Sequence, residues 1–307
     1  MKIIFLGSSD FSVPSLKRII EDGHEVLAVV CQPDRPNARG NKIEISGVKK
    51  LALEKEIPVY QFNKIRTEGV DIIKNLNADL MVVVSYGQIL SQELIDLPKL
   101  GTINVHGSLL PKYRGASPIA SVILNGEEKT GITIMRIAQE VDAGNMLLKE
   151  ETKILENETC GELSQRLSEI GANLLSKALV ELEKGTLVEE VQNHKEATFT
   201  KMIKKEDALI NFNEDAKTIV NKIRAFNPSP VAFTQRNGEK IKIYQAEVVS
   251  ANENITAGEV VLQSSKEGLV VKCGKDAIKI LKLQAPGGKV LDYKNYLNGR
   301  KFWKQVF

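Results

Sequence analysis

Short apolar runs recur along the first part of the chain and predict β-strands. They stand at 2–6, 24–30, 57–60, 80–84, 102–105, 130–137 and 146–150. The near-continuous run at 80–84 is typical of a strand that is buried on both faces of a parallel sheet. The alternation at 130–137 is typical of a strand with two different faces. These runs predict one sheet as the centre of the first domain.

Apolar residues between these runs recur at helical spacing. The clearest helix follows the capping box Thr159-x-x-Glu162, where Leu163, Leu167 and later apolar residues keep to one helical face as far as Gly185. Because strands and helices alternate throughout, residues 1–188 are predicted to form a doubly wound, Rossmann-like α/β domain.

The pattern changes after residue 188. Residues 189–207 are polar, charged and without clear periodicity, and they predict a linker. From 208 to 307, short alternating strands are separated by turns at 237–238, 266–268 and 274–275. Strands at this spacing predict a small β-barrel of the oligonucleotide-binding type.

The charge of the chain is unevenly distributed. The whole sequence of 307 residues carries a formal net charge of +3, but residues 208–307 hold 16 Lys or Arg against 9 Asp or Glu. A net charge of +7 on the second domain favours a polyanionic partner, with solvation by surface lysines as the alternative.

Three cysteines, Cys31, Cys160 and Cys273, are widely separated and form no C-x-x-C pair. The spacing predicts neither a disulfide framework nor a zinc site, so a reducing cytoplasm is the expected location and no metal is expected. The chain has no apolar run long enough for a membrane-spanning helix, and its first apolar run is too short for a signal peptide.

The chemically most informative stretch is 101–118, GTINVHGSLLPKYRGASP. Strand alternation places Asn104 and His106 on one face at the end of a strand, and Asp142 follows a later strand. In open parallel sheets, ligands bind at the carboxyl ends of the strands. A strand-end asparagine and an aspartate before Ala-Gly are also common turn residues, which is the alternative interpretation.

Together, an imidazole, an amide and a carboxylate suit acyl-type transfer to an amine. His106 could take a proton from the attacking nitrogen, Asn104 could donate to the oxygen that becomes negative, and Asp142 could orient or stabilise His106. No serine or cysteine stands in a nucleophile-elbow motif, which favours direct transfer without a covalent enzyme intermediate.

Two loops add to this prediction. The loop 108–111 has two leucines and a proline that we expect to be exposed at the sheet edge, where an apolar ligand would cover them. The polar loop 31–47 carries Arg35, Arg39 and Lys42, which could face a phosphate or a carboxylate. The first turn, 7–10, lacks the G-x-G-x-x-G pattern, which disfavours a dinucleotide cofactor.

The run Asn104–Pro111, NVHGSLLP, followed by Tyr113-Arg114-Gly115 and by Asp142, resembles the signature of the folate-dependent formyltransferases. A second group of motifs is similar to those members that act on methionyl-tRNA. These motifs are QPDRP at 32–36, Arg39-Gly40, VVVSYG at 82–87, RAFNPSP at 224–230 and PGGK at 286–289.

The resemblance implies 10-formyltetrahydrofolate as donor and the amino group of methionine on initiator tRNA as acceptor, giving N-formylmethionyl-tRNA for translation initiation. It implies a catalytic domain at 1–188 and a tRNA-binding barrel at 208–307, in a monomer. The implied catalytic residues are Asn104, His106 and Asp142. The implied folate-binding residues are Ser108, Leu109, Leu110, Pro111, Tyr86 and Gly87. The residues implied to meet the methionyl-tRNA are Arg39, Lys42 and Arg114.

Two other functions stay open at this point. An amino-sugar N-formyltransferase would use the same folate donor and the same three residues, but it needs no extended surface for a polyanion. A non-catalytic RNA-binding protein would leave Asn104, His106 and Asp142 without a role.

Overall fold

The computed structural model describes residues 1–36, 43–236 and 238–298. They divide into two compact units. The first comprises Met1–Ala116, Thr130–Lys153 and Ser164–Thr200, and the second comprises Ser117–Lys129, Ile154–Leu163 and the residues from Lys201 onward. Within the described ranges, no helix has both the length and the apolar character that crossing a membrane requires.

The first unit is built on a seven-stranded sheet. The strands assigned up to residue 200 are β1 (Lys2–Gly7), β2 (Glu25–Cys31), β3 (Arg35–Pro36), β4 (Ile43–Glu44), β5 (Val59–Gln61), β6 (Leu80–Val84), β7 (Thr102–His106), β8 (Arg114–Gly115), β9 (Lys129–Arg136), β10 (Met146–Lys153) and β11 (Phe199–Thr200). The order across the sheet is β10-β9-β7-β6-β1-β2-β5. Its central strands are parallel, and all five residues of β6 are buried, so the predicted Rossmann-like α/β architecture is confirmed.

One edge of this sheet differs from the expected parallel arrangement. Strand β9 runs antiparallel to β7, with Asn104 opposite Met135 and His106 opposite Thr133. The carboxyl end of β9 therefore lies beside the amino end of β7. A residue that follows β9 must return along the sheet before it can reach His106.

Helices are found in both units. They are α1 (Val13–Glu21), α2 (Gly47–Glu54), α3 (Ile65–Glu68), α4 (Val70–Leu76), α5 (Gln92–Asp96), α6 (Pro118–Leu124), α7 (Cys160–Lys184), α8 (Ala216–Ala225) and α9 (Tyr293–Leu297). The predicted capping box begins α7, since Thr159 N–H donates to Glu162 Oε2 and Glu162 N–H donates to Thr159 Oγ1. Leu163, Leu167 and Leu174 form its buried face, as their spacing predicts.

The second unit contains an antiparallel sheet. Its strands are β12 (Phe233–Arg236), β13 (Glu239–Val249), β14 (Val260–Ser264), β15 (Gly268–Lys272), β16 (Ala277–Gln284) and β17 (Leu291–Asp292). The order is β12-β13-β16-β15-β14, with β17 paired to β16. A C-terminal domain built on short β-strands is confirmed, and α8 and α9 belong to the same unit. Among the residues that the structure describes, β12 and β14 are the end strands of this sheet, and its closure into a barrel stays a prediction.

The segment 189–200, which the sequence predicts as most of a linker, contributes structure to the first unit. Phe199 and Thr200 pair with Arg114 and Gly115 in a short parallel ladder, and the side chain of Gln192 is 3% exposed. The polar composition of this segment therefore includes buried hydrogen-bonding groups as well as solvated ones.

Substituting Gly131→Ala in β9 is expected to destabilise the protein by about 1–3 kcal/mol. A Cβ atom at Gly131 would lie 2.1 Å from the main-chain oxygen of Glu150 and 2.5 Å from Leu109 Cδ2. Because the first contact is with backbone, the strand itself would have to move. Urea unfolding followed by circular dichroism measures the change. Gly288→Ala is the control, since its Cβ would have no atom nearer than 3.4 Å. Equal midpoints for wild type and Gly131→Ala would contradict the prediction.

Candidate active site

The end of β7 holds a buried histidine. Ile103 and Val105 point into the core, while His106 is 5% exposed on the opposite face. His106 Nε2 donates to the main-chain oxygen of Tyr113 over 3.0 Å. Since a carbonyl oxygen can only accept, Nε2 carries the proton in the neutral ring. Nδ1 is then the nitrogen that can accept a further proton.

Asp142 lies beside that second nitrogen. Its Oδ2 atom is 3.6 Å from His106 Nδ1 and accepts a hydrogen bond of 2.7 Å from the N–H of Gly115. The aspartate sits in the loop 137–145 between β9 and β10 with a φ of 49°, a left-handed conformation. This loop brings the carboxylate back from the far end of β9. The sequence-predicted pair therefore meets, but through a returning loop and not through a parallel strand end.

Asn104 lies two residues before His106 on the same strand, as the alternation predicts. It is half-buried, between Val83 on β6 and Met135 on β9. Within the described part of the chain, its side-chain amide has no hydrogen-bond partner. The amide is thus a donor at the sheet edge that a bound molecule could use.

Comparison with known proteins decides the family. The formyl transferase model matches residues 1–179, and the model of the formyl transferase C-terminal domain matches residues 202–301. The chain belongs to the formyl transferase family. Asn104, His106 and Asp142 all lie within the first matched region.

Relatives cover both matched regions. Methionyl-tRNA formyltransferase from Sulfurihydrogenibium sp. (strain YO3AOP1) is 43% identical, covering 98% of this chain and 97% of its own. The enzyme of that name from Clostridium botulinum is 44% identical, covering 100% and 99%. A solved N-formyltransferase from Helicobacter canadensis, in complex with folinic acid and dTDP-3-aminofucose, shares the fold. Its TM-score is 0.67 at 21% identity, over 91% of this chain and 99% of that one.

Hydrogen bonds to buried side chains hold the loop after β7 in place. Ser108 is fully buried, and its hydroxyl donates to the main-chain oxygen of Lys112 over 2.7 Å. Thr133 Oγ1 donates to the main-chain oxygen of Ser108 over 2.7 Å and accepts from Leu110 N–H over 3.1 Å. Thr133 is a residue that sequence reasoning missed, because alternation marks it only as a buried strand position.

The leucines and the proline of this loop are less exposed than the sequence predicts. Leu110 is 2% exposed and packs with Met135 and Met146, so its side chain belongs to the core. Leu109 and Pro111 are half-buried. Of the four predicted folate-binding residues in this loop, Ser108 and Leu110 turn their side chains inward, and Leu109 and Pro111 leave apolar surface beside the site.

The two predicted folate-binding residues after β6, Tyr86 and Gly87, differ in their exposure to solvent. Tyr86 is 2% exposed, and its ring packs in the core with Phe62 and Leu94. Its hydroxyl has no hydrogen-bond partner among the described residues, and burial raises the pKa of this phenol. Gly87 is exposed with a φ of 85°, a conformation that suits glycine. The Tyr86 side chain therefore lies in the core, and of these two residues Gly87 faces the surface.

Three residues are predicted to meet the methionyl-tRNA, and the structure describes one of them. Arg39 and Lys42 lie outside the described residues. Arg114 is 1% exposed, and its Nε and Nη2 atoms donate to Gln192 Oε1 over 3.1 and 2.8 Å. The predicted contact of Arg114 with the methionyl-tRNA stays a prediction. Its guanidinium is buried in the first unit and donates hydrogen bonds there.

Gln192 is a second residue at this site that sequence reasoning missed. Its Nε2 atom donates to the main-chain oxygens of Asp142 and Gly144 over 2.8 and 2.7 Å. A single glutamine in a polar stretch has no pattern that distinguishes it from solvated neighbours. Only the folded arrangement shows that it binds the loop of Asp142.

Proposed function

We propose that this formyl transferase moves the formyl group of 10-formyltetrahydrofolate to the α-amino group of methionine on initiator methionyl-tRNA, giving N-formylmethionyl-tRNA. The observation that carries the proposal is the placement of His106, Asp142 and Asn104 at the end of β7, with an Asn104 amide that has no hydrogen-bond partner among the described residues. The full-length similarity to methionyl-tRNA formyltransferases supports the choice of acceptor.

The residues beside this site fit a folate. Leu109 and Pro111 offer half-buried apolar surface, Gly87 offers exposed backbone, and the Asn104 amide donates to no residue in the part of the chain that the structure describes. A pteridine with amide substituents needs this mixture of apolar contact and a few polar groups. When bound, the donor supplies a formyl carbon attached to a nitrogen that can leave. The shared fold of the folinic acid complex from Helicobacter canadensis is consistent with this assignment.

The chain's own residues would move protons and stabilise charge. His106 Nδ1 takes a proton from the amine as its nitrogen bonds to the formyl carbon, and gives a proton to the departing nitrogen, so the ring ends neutral. General-base help of this kind contributes about 10²–10⁴-fold. The Asp142 carboxylate stabilises the ring while it is charged. The Asn104 amide donates to the formyl oxygen as negative charge develops there, which is worth about 10²–10³-fold.

The cysteines do not offer a competing covalent route. Burial raises the pKa of the Cys160 and Cys273 thiols to about 11, and burial is also the main cause of the raised pKa of Cys31. Since the thiolate is the nucleophile, these thiols are nearly inert at neutral pH. This supports direct transfer from donor to acceptor.

We assign tRNA binding to the domain 208–307 and catalysis to the domain 1–188. In the second unit, Lys240 and Lys242 lie on one face of β13, and Lys240 Nζ stands 3.5 Å from the centre of the Phe233 ring. Partial burial lowers the pKa of Lys240, and the charges of Lys242 and Lys205 lower it further, against an opposing effect of Glu206. Three cations close enough to repel one another suit a run of phosphates.

Removing this cluster is expected to flatten the salt dependence of tRNA binding. In the triple variant K205Q/K240Q/K242Q, the slope of log Kd against log salt should fall by roughly 2–3, because fewer counterions are displaced. Filter binding over a salt series measures it. The variant K55Q/K74Q/K184Q removes the same charge from exposed lysines of the first unit and should keep the wild-type slope. Equal slopes for both triple variants would move the tRNA surface elsewhere.

The proposed reaction is tested by formyl transfer from 10-formyltetrahydrofolate to methionyl-tRNA. Uncharged tRNA, free methionine and a nucleotide-linked amino sugar serve as alternative acceptors. Formylation of the charged tRNA alone supports the proposal. Formylation of the amino sugar instead would favour the second candidate function, which the complex of the Helicobacter canadensis enzyme with dTDP-3-aminofucose brings into consideration. We place the enzyme in the cytoplasm as a monomer, which fractionation and sedimentation can test.

A further inference from the structure

The loop that carries Asp142 needs anchors from outside itself. Residues 138–141 are exposed, and Val141 is 56% exposed although it is apolar. The Asp142 carboxylate must nevertheless stay beside His106 Nδ1. The bond from Gly115 N–H fixes one carboxylate oxygen and does not itself hold the main chain of the loop. The backbone is held by Gln192, which binds the main-chain oxygens on both sides of Ala143.

The amide of Gln192 is used to its full capacity. A primary amide has one oxygen that accepts two hydrogen bonds and one nitrogen that donates two. Gln192 Oε1 accepts twice from Arg114, which can only donate, and Nε2 donates to two carbonyl oxygens, which can only accept. The orientation of the amide follows from these partners. Glutamate would keep the acceptor side and lose the donor side, and asparagine would be one methylene too short.

Arg114 links the Gln192 amide to the hydrogen bond by which Gly115 N–H holds the Asp142 carboxylate. It precedes Gly115 in β8, and β8 is paired with β11. Its Nη1 atom also lies 3.8 Å from Glu140 Oε1, in the same loop as Asp142. The pair Arg114–Gln192 therefore holds the loop 137–145 by its main chain, while the next residue holds the Asp142 side chain. Both connections converge on one carboxylate.

We infer that Gln192 is a positioning residue that acts through Asp142, with Arg114 fixing its amide. The inference rests on the proposed formyl transfer and names a residue of that same site. Its effect should appear in kcat, because the loop position matters when His106 becomes charged. Displacing a catalytic group by about 1 Å can cost roughly 10²-fold in rate.

The decisive variant is Gln192→Glu, which keeps the Arg114 partner and removes both donors to the loop. We expect kcat to fall about 10–100-fold, with KM for either substrate changed by less than about threefold. Asn193→Ala is the matched control, because it removes a neighbouring exposed amide that bonds only within 193–196. Wild-type activity is measured first, so that a failure of the proposed reaction is seen separately from a failure of this inference.

A double-mutant comparison separates positioning from a general structural role. In an Asp142→Ala background, single-turnover rates with excess enzyme should drop less than about threefold further when Gln192→Glu is added. The same loss in both backgrounds would overturn the inference, as would an unchanged kcat in the single variant. If Gln192→Glu does not fold by circular dichroism, Gln192→Asn is used in both backgrounds. It keeps the amide but not its reach, and the same two outcomes decide.

Discussion

Replacing His106 by alanine is expected to lower kcat for formyl transfer about 10²–10⁴-fold while tRNA affinity stays within about threefold of wild type. The residue is buried at the end of β7, and its Nδ1 atom, the proton acceptor in the proposed reaction, lies 3.6 Å from Asp142 Oδ2. Without it the attacking amine must lose its proton to water. Single-turnover transfer and filter binding measure the two quantities.

The variant His106→Gln separates catalysis from packing. A glutamine can keep an N–H donor toward the main-chain oxygen of Tyr113, but it has no titratable nitrogen. It should therefore fold like wild type and be as slow as His106→Ala. His24→Gln is the matched control, since His24 lies before β2 near the N-terminal amine and Glu183. A His106→Gln enzyme with near wild-type kcat would mean that His106 is only structural.

Much of the fold follows from patterns that one strand or helix contains. The continuous apolar run of β6 and the alternation of β13 both reflect local burial. The antiparallel pairing of β9 with β7 could not be read in this way, because a strand's own sequence does not specify the direction of its neighbour. The buried part of 189–200 was missed for a related reason, since polar residues satisfied inside a protein look like polar residues in water.

In the candidate site, too, features within one strand could be predicted and contacts between separate elements could not. Period-2 alternation places Asn104 and His106 together, since both lie on one strand. The burial of Leu110 against Met135 and Met146 depends on three separate elements and is invisible in the loop's own composition. The family resemblance implied that Arg114 meets the methionyl-tRNA. Only its bonds to Gln192 show that its charge is used internally.

Removing the charge of Asp142 is expected to be the second large effect. Asp142→Asn keeps an oxygen that can accept from Gly115 N–H, but it takes away the negative charge beside His106 Nδ1. We expect kcat to fall about 10²–10⁴-fold, as when the carboxylate of a histidine-containing catalytic group becomes an amide. The same single-turnover assay measures it. Affinity for tRNA should stay within about threefold of wild type, because the carboxylate serves the transfer step.

Comparison of Asp142→Asn with Asp142→Ala divides the effect into charge and position. If charge dominates, the two variants should be equally slow, because neither stabilises the imidazolium. If the hydrogen bond to Gly115 matters as much, alanine should be clearly slower, because the loop then loses its side-chain anchor as well. Asp96→Asn, an exposed carboxylate on α5 that bonds to Gln92, should retain wild-type kcat. A loss confined to KM in Asp142→Asn would show that the carboxylate binds substrate and does not assist His106.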